Sequence, residues 1–525
     1  MVGRTRLVVF TALAAVALSG CGAAKSNSSS RASQAGPAAG KAGRPAGPPG
    51  PAAPSPAAPG AAGADSAARQ ATSPEMLAAD QPASTFAMDV DTASYTYARG
   101  QVLDGRRPDP ATVRPEEFVN AFKQGYRQPD GNGFTIQVDG ARLPSTHRIG
   151  PGPVPEDGSS VRLMRVGLQT RAENPAARPD AALTFVIDVS GSMGEPGKLD
   201  MVKDALRTLV GQLRPTDAVA IVAFNDHAHA LRAMTPVRSR QALLGAIDEL
   251  HAGGSTNLEA GLVEGYRVAR DGFRSGGTNR VILLSDGLAN TGDTAPTDIL
   301  SEVRAAADKQ IALLGVGVGS DYGDALMEQL ADHGDGFVVY VSEPAQARAV
   351  FVNQLPATLA VRALDAKVQV DFDASTVLSY RLIGYDDRAL NPSQFRNDRV
   401  DGGEVGPGHA VTALYAVRLH AETGIDARVA QAHIRWQDPA TREASEQSAT
   451  VTVADLGGGF TDAAPRLRVC YAAAYLAEVL RGSPYGPEVR VADLAGVADK
   501  AAATLDDPDV VDLAAVIRRA DHLDG

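Results

Sequence analysis

Hydrophobic positions change their period several times along the chain, and each change marks a different kind of element. Leu183-Thr-Phe-Val-Ile187 is five residues of high β propensity, and it runs into an acidic, hydroxyl-rich stretch, Asp188-Val-Ser190-Gly-Ser192-Met193. Behind it Leu199, Val202, Leu206, Leu209 and Leu213 recur three and four apart, the spacing of a helix with one buried face. The alternation continues with a buried strand over 218–224 and a stretch over 228–234 that can return antiparallel as the edge. Helices follow over 240–250 and 257–270, then a second buried strand, Arg280-Val-Ile-Leu-Leu-Ser285, ending at Asp286-Gly287. A helix over 298–309, a strand over 311–318, a helix over 324–331, a strand over 336–341 and a helix to Leu355 complete this part. Strands alternating with helices imply a mostly parallel sheet covered on both faces.

After Leu355 the period becomes two. Stretches over 366–372, 379–384, 410–419, 430–436 and 448–453 alternate between turn residues, the pattern of a β-sandwich. Ahead of the α/β part, Phe134–Val138 and Val161–Leu168 read as two strands with one wet face, after a short helix opened by Pro115. An isolated strand pair is not stable in water. These two are therefore expected to join the later strands, which makes the α/β part an insertion in a β domain. From Ala463 to the end the pattern is helical, with a break over 481–487.

The amino-terminal 82 residues follow other rules. Residues 1–20 combine Arg4 and Arg6 with an apolar run from Leu7 to Leu18, too short to span a bilayer and typical of a signal-peptide core. Leu18-Ser19-Gly20-Cys21 resembles the lipobox of bacterial lipoproteins. That resemblance implies cleavage before Cys21, lipidation of its thiol and attachment to a cell membrane on its extracytoplasmic side. From residue 21 to 82 the chain is Ala, Gly, Pro and Ser with almost no large apolar residue, and reads as a disordered tether of about 40–50 Å span. The expected organisation is then a leader (1–20), a tether (21–82), an amino-terminal region with strands of a β domain (83–180), the α/β domain (181–355), the β-sandwich region (356–455) and a helical region (456–525).

Composition narrows the function classes. The 525 residues carry a formal charge of −12 and no basic run, which argues against nucleic acid as a partner. Two cysteines exclude a disulfide framework: Cys21 ends the leader, and Cys470 falls in a helical stretch where a buried, inert thiol is expected.

The candidate chemistry lies at the strand ends. Asp188, Ser190 and Ser192 place one carboxylate and two hydroxyls at alternate positions of a loop, where open α/β sheets build their sites. Such oxygens suit a hard cation, although Asp and Ser also cap helices. Gly253-Gly-Ser-Thr256-Asn257 lies between two helical patterns, and Thr256 with Glu259 also fits a capping box. Asp286-Gly287 is also a common turn. Three further stretches read as structural: Asp89-Val-Asp91-Thr-Ala93, which breaks a D-x-D-x-T/V phosphatase pattern at Ala93; His227 and His229 on an edge; and the turn over 332–336, which lacks the spacing of a calcium loop.

Taken together, D-V-S-G-S-M, G-G-S-T-N and the strand ending at Asp286 resemble the von Willebrand factor A domain, a Rossmann-like α/β fold, and its metal-ion-dependent adhesion site. The resemblance implies hydroxyl ligands from Ser190, Ser192 and Thr256, with Asp188 and Asp286 acting largely through bound water. The implied metal is Mg²⁺, or Mn²⁺ in its place, and a partner's Asp or Glu would complete the shell. D-V-D-T-A-S-Y, Y-R-L-I-G-Y, G-H-A-V-T-A-L-Y and R-G-S-P-Y extend the likeness to the YfbK-type bacterial lipoproteins over most of residues 83–525.

Two function classes follow. One is a membrane-anchored protein-binding lipoprotein, an adhesion or scaffold protein that engages a carboxylate of its partner through a divalent metal. The other is a metal-dependent hydrolase, or an envelope-stress signalling component. The sequence holds no H-E-x-x-H, no Ser/His/Asp constellation and no phosphate-cradling G-x-x-x-x-G-K-S/T loop, which favours the non-enzymatic reading.

Overall fold

In chain order the first elements are strands β1 (Met76–Leu77) and β2 (Ala83–Ala87), helices α1 (Ala93–Leu103) and α2 (Pro115–Asn120), and strands β3 (Phe134–Arg142) and β4 (Ser160–Thr170). The computed structural model describes residues 72–523 apart from 144–159, 173–177, 288–295, 308, 320–326, 328–329, 332–333, 335, 342, 352–360, 399, 401 and 440. There follow β5 (Ala181–Asp188), α3 (Leu199–Gln212), β6 (Ala218–Phe224), β7 (Ala228–Pro236), α4 (Arg240–Asp248), α5 (Leu258–Asp271), β8 (Thr278–Ser285), α6 (Pro296–Ala307), β9 (Ile311–Val318) and β10 (Phe337–Val341). Strands β11 (Ala363–Phe372), β12 (Val377–Ile383), β13 (Ala389–Leu390), β14 (Gly403–Val405), β15 (Ala410–Leu419), β16 (Arg428–Gln437) and β17 (Ala444–Thr452) come next, ahead of helices Pro465–Leu480, Val491–Leu505 and Pro508–Asp521.

The α/β part is one six-stranded sheet in the order β10-β9-β8-β5-β6-β7. All neighbours are parallel except β7, which returns antiparallel beside β6. Every residue of β5 and β6 is buried, because helices cover both faces of the sheet. On one face α3 lays Val202, Leu206 and Leu209 against Phe185 and Ile187. On the other, α5 comes so close that a Cβ on Gly265 would stand 2.3 Å from Val186 Cγ2.

Two antiparallel sheets, β1-β12-β15-β4-β3 and β13-β2-β11-β16-β17 with β14 beside β11, share a core that includes Phe86, Met164, Val166, Val368, Val370 and Tyr415. This is a sandwich. Its strands come from both sides of the α/β part: β4 pairs with β15 from Ser160–Leu419 to Gln169–Ala410, and β2 pairs with β11. The α/β domain is thus inserted between β4 and β11. The carboxy-terminal helices share a further core with α1 and α2, in which Tyr95, Val102 and Phe118 meet Leu467, Tyr475, Leu513 and Ile517 over Leu163 and Ala416 of the sandwich.

Two expectations change. The tether stops short of residue 82: Met76 and Leu77 pair with Tyr380 and Ser379, Ala78 is buried, and the backbone N–H of Ser73 donates to Asp386 at 2.6 Å. The segment is ordered because β12 supplies backbone partners to Met76 and Leu77 and Met76 packs against the sandwich core. Strand β4 has no wet face. Met164, Val166 and Leu168 meet the sandwich core, and Val161 and Leu163 meet the helices. Arg165, on the helix side, stays buried because Asp139 accepts two hydrogen bonds from it at 2.7 Å and Gln124 one at 3.0 Å. Cys470 is buried as expected, its thiol donating to Gln124 Oε1 at 3.0 Å. Among the described residues no helix is long and apolar enough to cross a membrane.

Candidate metal centre

The loops after β5, after β6 and ahead of α5 are laced together at the carboxyl end of the sheet. Val189 N–H donates to Phe224 C=O (2.8 Å), Gly253 N–H to Val189 C=O (2.7 Å) and Gly191 N–H to Gly254 C=O (2.9 Å). Asn225 braces the third loop from both ends, its side chain donating to Gly253 C=O (2.8 Å) and its carbonyl accepting from Asn257 N–H (2.8 Å). Gly254 sits at φ +87°, and a Cβ there would stand 2.4 Å from Asp226 Oδ2, so only glycine lets this loop close. Asp226 also accepts from the Ser255 hydroxyl.

Within this frame four of the expected residues form a chain of oxygens. Asp188, fully buried, accepts the Ser190 N–H on Oδ1 (2.8 Å) and the Ser285 hydroxyl on Oδ2 (2.7 Å). Ser190 Oγ lies 3.1 Å from Ser192 Oγ, and Ser192 Oγ donates to Asp286 Oδ1 at 2.8 Å. An octahedral Mg²⁺ with bonds near 2.1 Å holds neighbouring ligand oxygens about 3 Å apart, so this spacing fits such an ion. Ser192 is exposed while Ser190 is buried, so the row of oxygens opens to solvent at the Ser192 end.

The electrostatics favour a cation. Burial pushes the Asp188 carboxyl above its usual range, hydrogen bonds from Ser285 and Ser190 pull it down less, and Asp286 pushes it up further. The Asp286 side chain is itself only 1% exposed. In this structure the balancing charge comes from Lys198, whose Nζ donates to Asp286 Oδ2 at 2.7 Å and to Glu195 Oε2 at 2.8 Å. Burial works against this ammonium, yet the two carboxylates outweigh it and raise its pKa.

Thr256, the fifth expected residue, lies buried in the laced loop. The N-cap of α5 is the next residue, Asn257, which accepts the Ala260 N–H on Oδ1 at 3.0 Å. His227 and His229 are both exposed, His227 in the turn before β7. Asp89 and Asp91 are structural: Asp89 Oδ1 accepts the Asp91 N–H at 2.8 Å, and Asp91 Oδ1 accepts the Val338 N–H of β10 at 3.3 Å. Asp332, Asp335 and Cys21 lie outside the described residues.

Sequence reasoning missed Ser285, Lys198 and the Asn225-Asp226 brace. Lys198 left one signal. It occupies the N-cap of α3, where the helix dipole disfavours a cation, so its place there asks for a local anion.

Comparison with known proteins agrees with the fold. A family model described as "Uncharacterized protein YfbK, C-terminal" matches residues 357–523, one described as "von Willebrand factor type A domain" matches 182–353, and one described as "von Willebrand factor" matches 63–149. The chain is 31% identical over 431 residues to protein YfbK of Escherichia coli (strain K12), covering 79% of this chain and 73% of that protein. It is 30% identical over 273 residues to inter-alpha-trypsin inhibitor heavy chain H3 of Pongo abelii, covering 49% of this chain and 28% of that protein. Among solved structures, von Willebrand factor type A from Catenulispora acidiphila aligns over 77% of this chain and 90% of that chain, at 17% identity and a TM-score of 0.43.

Proposed function

Because the chain belongs to the YfbK family and carries a von Willebrand factor type A domain, we propose that it binds a protein partner through a divalent metal held at the carboxyl end of this sheet. The observation that carries this reading is the row Ser190 Oγ, Ser192 Oγ and Asp286 Oδ1, whose members stand 3.1 and 2.8 Å apart. Ser190, Ser192 and Thr256 would hold Mg²⁺ or Mn²⁺ through hydroxyls, with Asp188 and Asp286 behind water. A cation held so is under-neutralised, and it supplies a Lewis-acidic position to which an Asp or Glu of the partner can bind.

The chain's own residues do the rest. The laced loops fix the three hydroxyl-bearing positions before any partner arrives, which lowers the ordering cost of binding. Exposed Ser192 marks the side from which a carboxylate can approach. The reading extends to a membrane anchor at Cys21 on the extracytoplasmic side, supported by the basic start, short apolar core and Leu18-Ser19-Gly20-Cys21. Crosslinking capture with wild-type and Asp188→Ala bait tests the binding claim. A partner held by wild type in Mg²⁺, but lost in EDTA and absent from the variant, is the expected result. A partner set that neither EDTA nor the variant alters would contradict it.

A further inference from the structure

Lys198 pairs with Asp286, one of the residues that the proposed function assigns to the metal. Its Nζ donates to Asp286 Oδ2 at 2.7 Å, while Asp286 Oδ1 accepts from Ser192 at 2.8 Å. Both oxygens of a side chain that is 1% exposed are therefore engaged, one by a cation that the chain itself supplies. The same ammonium reaches Glu195 Oε2 at 2.8 Å, and Glu195, three residues earlier, has a side chain 65% exposed. Glu195, Pro196, Gly197 and Lys198 lie between Gly194 and α3 in a turn closed by the Lys198 N–H on the Glu195 carbonyl (3.2 Å), and Gly197 sits at φ +87° with open space where a Cβ would be.

We propose that Lys198 is a tethered cation that occupies the charge-balancing role at Asp286 and competes with the divalent metal, with Glu195 retaining the ammonium when the metal takes the site. The inference rests on the metal reading above and adds a regulation of that same site. A divalent ion and an ammonium drawn to the same buried carboxylate repel each other, so each weakens the other's hold on Asp286. Without its lysine, the metal-free site holds two buried carboxylates, Asp188 and Asp286, and Asp286 has lost the ammonium that pairs with it. The lysine thus stabilises the empty site and weakens the filled one, by linkage. Glu195 makes the exchange cheaper, because the displaced ammonium keeps one of its two partners and need not be fully released.

Calorimetry and thermal denaturation of the full chain test this, with Mg²⁺ and Mn²⁺ as probes and wild type, Lys198→Met, Lys198→Arg, Glu195→Gln and Asp188→Ala as the set. Lys198→Met is expected to bind metal about tenfold more tightly than wild type and to melt lower in EDTA, with the difference closing in excess metal. Lys198→Arg keeps the charge and should stay within about threefold of wild type. Glu195→Gln should weaken metal binding several-fold, and should lose that effect when combined with Lys198→Met. Equal or weaker metal binding by Lys198→Met would overturn the competition and make the lysine a mere support for Asp286. An effect of Glu195→Gln that persists without the lysine would make Glu195 a distant charge rather than the acceptor. Should wild type and Lys198→Met both bind no metal, or bind it as Asp188→Ala does, the metal reading itself fails. That result differs from a failed competition, in which wild type binds and Asp188→Ala does not. If Lys198→Met does not fold in EDTA, refolding it with and without Mn²⁺ decides the same point: recovery only with metal supports competition, and no recovery with metal overturns it.

Discussion

The Ser285 hydroxyl donates to Asp188 Oδ2 at 2.7 Å, joining the last residue of β8 to the last residue of β5. Those two strands are direct parallel neighbours, so the bond locks the Asp188 carboxylate to the sheet, while its other oxygen holds its own loop through the Ser190 N–H. Ser285 Oγ also accepts the Gly287 N–H at 3.3 Å, which ties the turn that presents Asp286. One hydroxyl therefore orients both acids of the proposed site.

Removing that hydroxyl should loosen the site without touching a ligand. Ser285→Ala is expected to lower Mg²⁺ affinity by about tenfold, and Ser285→Thr to preserve it, since groups behind metal ligands cost 10- to 100-fold when lost. Isothermal calorimetry on the three proteins checks this. Equal affinity in all three would show that the sheet alone fixes Asp188.

Cap and ligand roles separate at adjacent residues. Asn257→Ala removes the side chain that caps α5 and should cost about 1 kcal/mol in denaturant unfolding. Thr256→Ala should lower metal affinity instead, leaving the cap in place. A stability loss confined to Thr256→Ala would reverse these assignments.

Glu116 offers a pH test outside the site. It is buried in α2, and burial together with the nearby Asp89 charge pushes its carboxyl up to about 7 from 4.5. Between those values the native state holds a proton that the unfolded chain has released, so stability falls as pH rises through the window. Glu116→Gln should therefore stabilise the protein by up to roughly 3 kcal/mol near pH 8, and change little near pH 4. Thermal melts at both pH values check it; a stabilisation that is the same at both would exclude a buried charge as its source.

Anchoring is tested by one substitution. Cys21→Ser is expected to move the protein from the membrane fraction to the soluble fraction, or to stall its processing. A variant unchanged in both respects would remove the anchor from the account.

Much of this was legible because local period and burial agree. β5 carries a buried apolar run that ends at Asp188, and β8 carries Val281–Leu284, followed by Ser285 and then Asp286, so the strand ends announce themselves. The insertion was legible from β3 and β4, which needed a sheet that only the later strands could supply. What escaped depends on distant partners. Strand β1 has two residues, and Ala78 is buried only because β12, some 300 residues on, lies beside this segment. Arg162 and Arg165, on opposite faces of β4, each look solvent-facing until the Leu456 carbonyl accepts from one and Asp139 pairs with the other beneath the carboxy-terminal helices. Lys198 reads as an ordinary charge at a helix start, and only the approach of β8 shows what it holds.

The central claim is that Asp188, Ser190, Ser192, Thr256 and Asp286 form one divalent-metal site. Calorimetric titration of Mg²⁺ and Mn²⁺ into wild type and Asp188→Ala, with circular dichroism to confirm that both are folded, tests it most directly. The account predicts a single site in wild type and an affinity at least about 100-fold weaker in the variant. Equal affinity in the two proteins would reduce the five residues to turns and buried polar contacts, and the proposed binding function would fall with them.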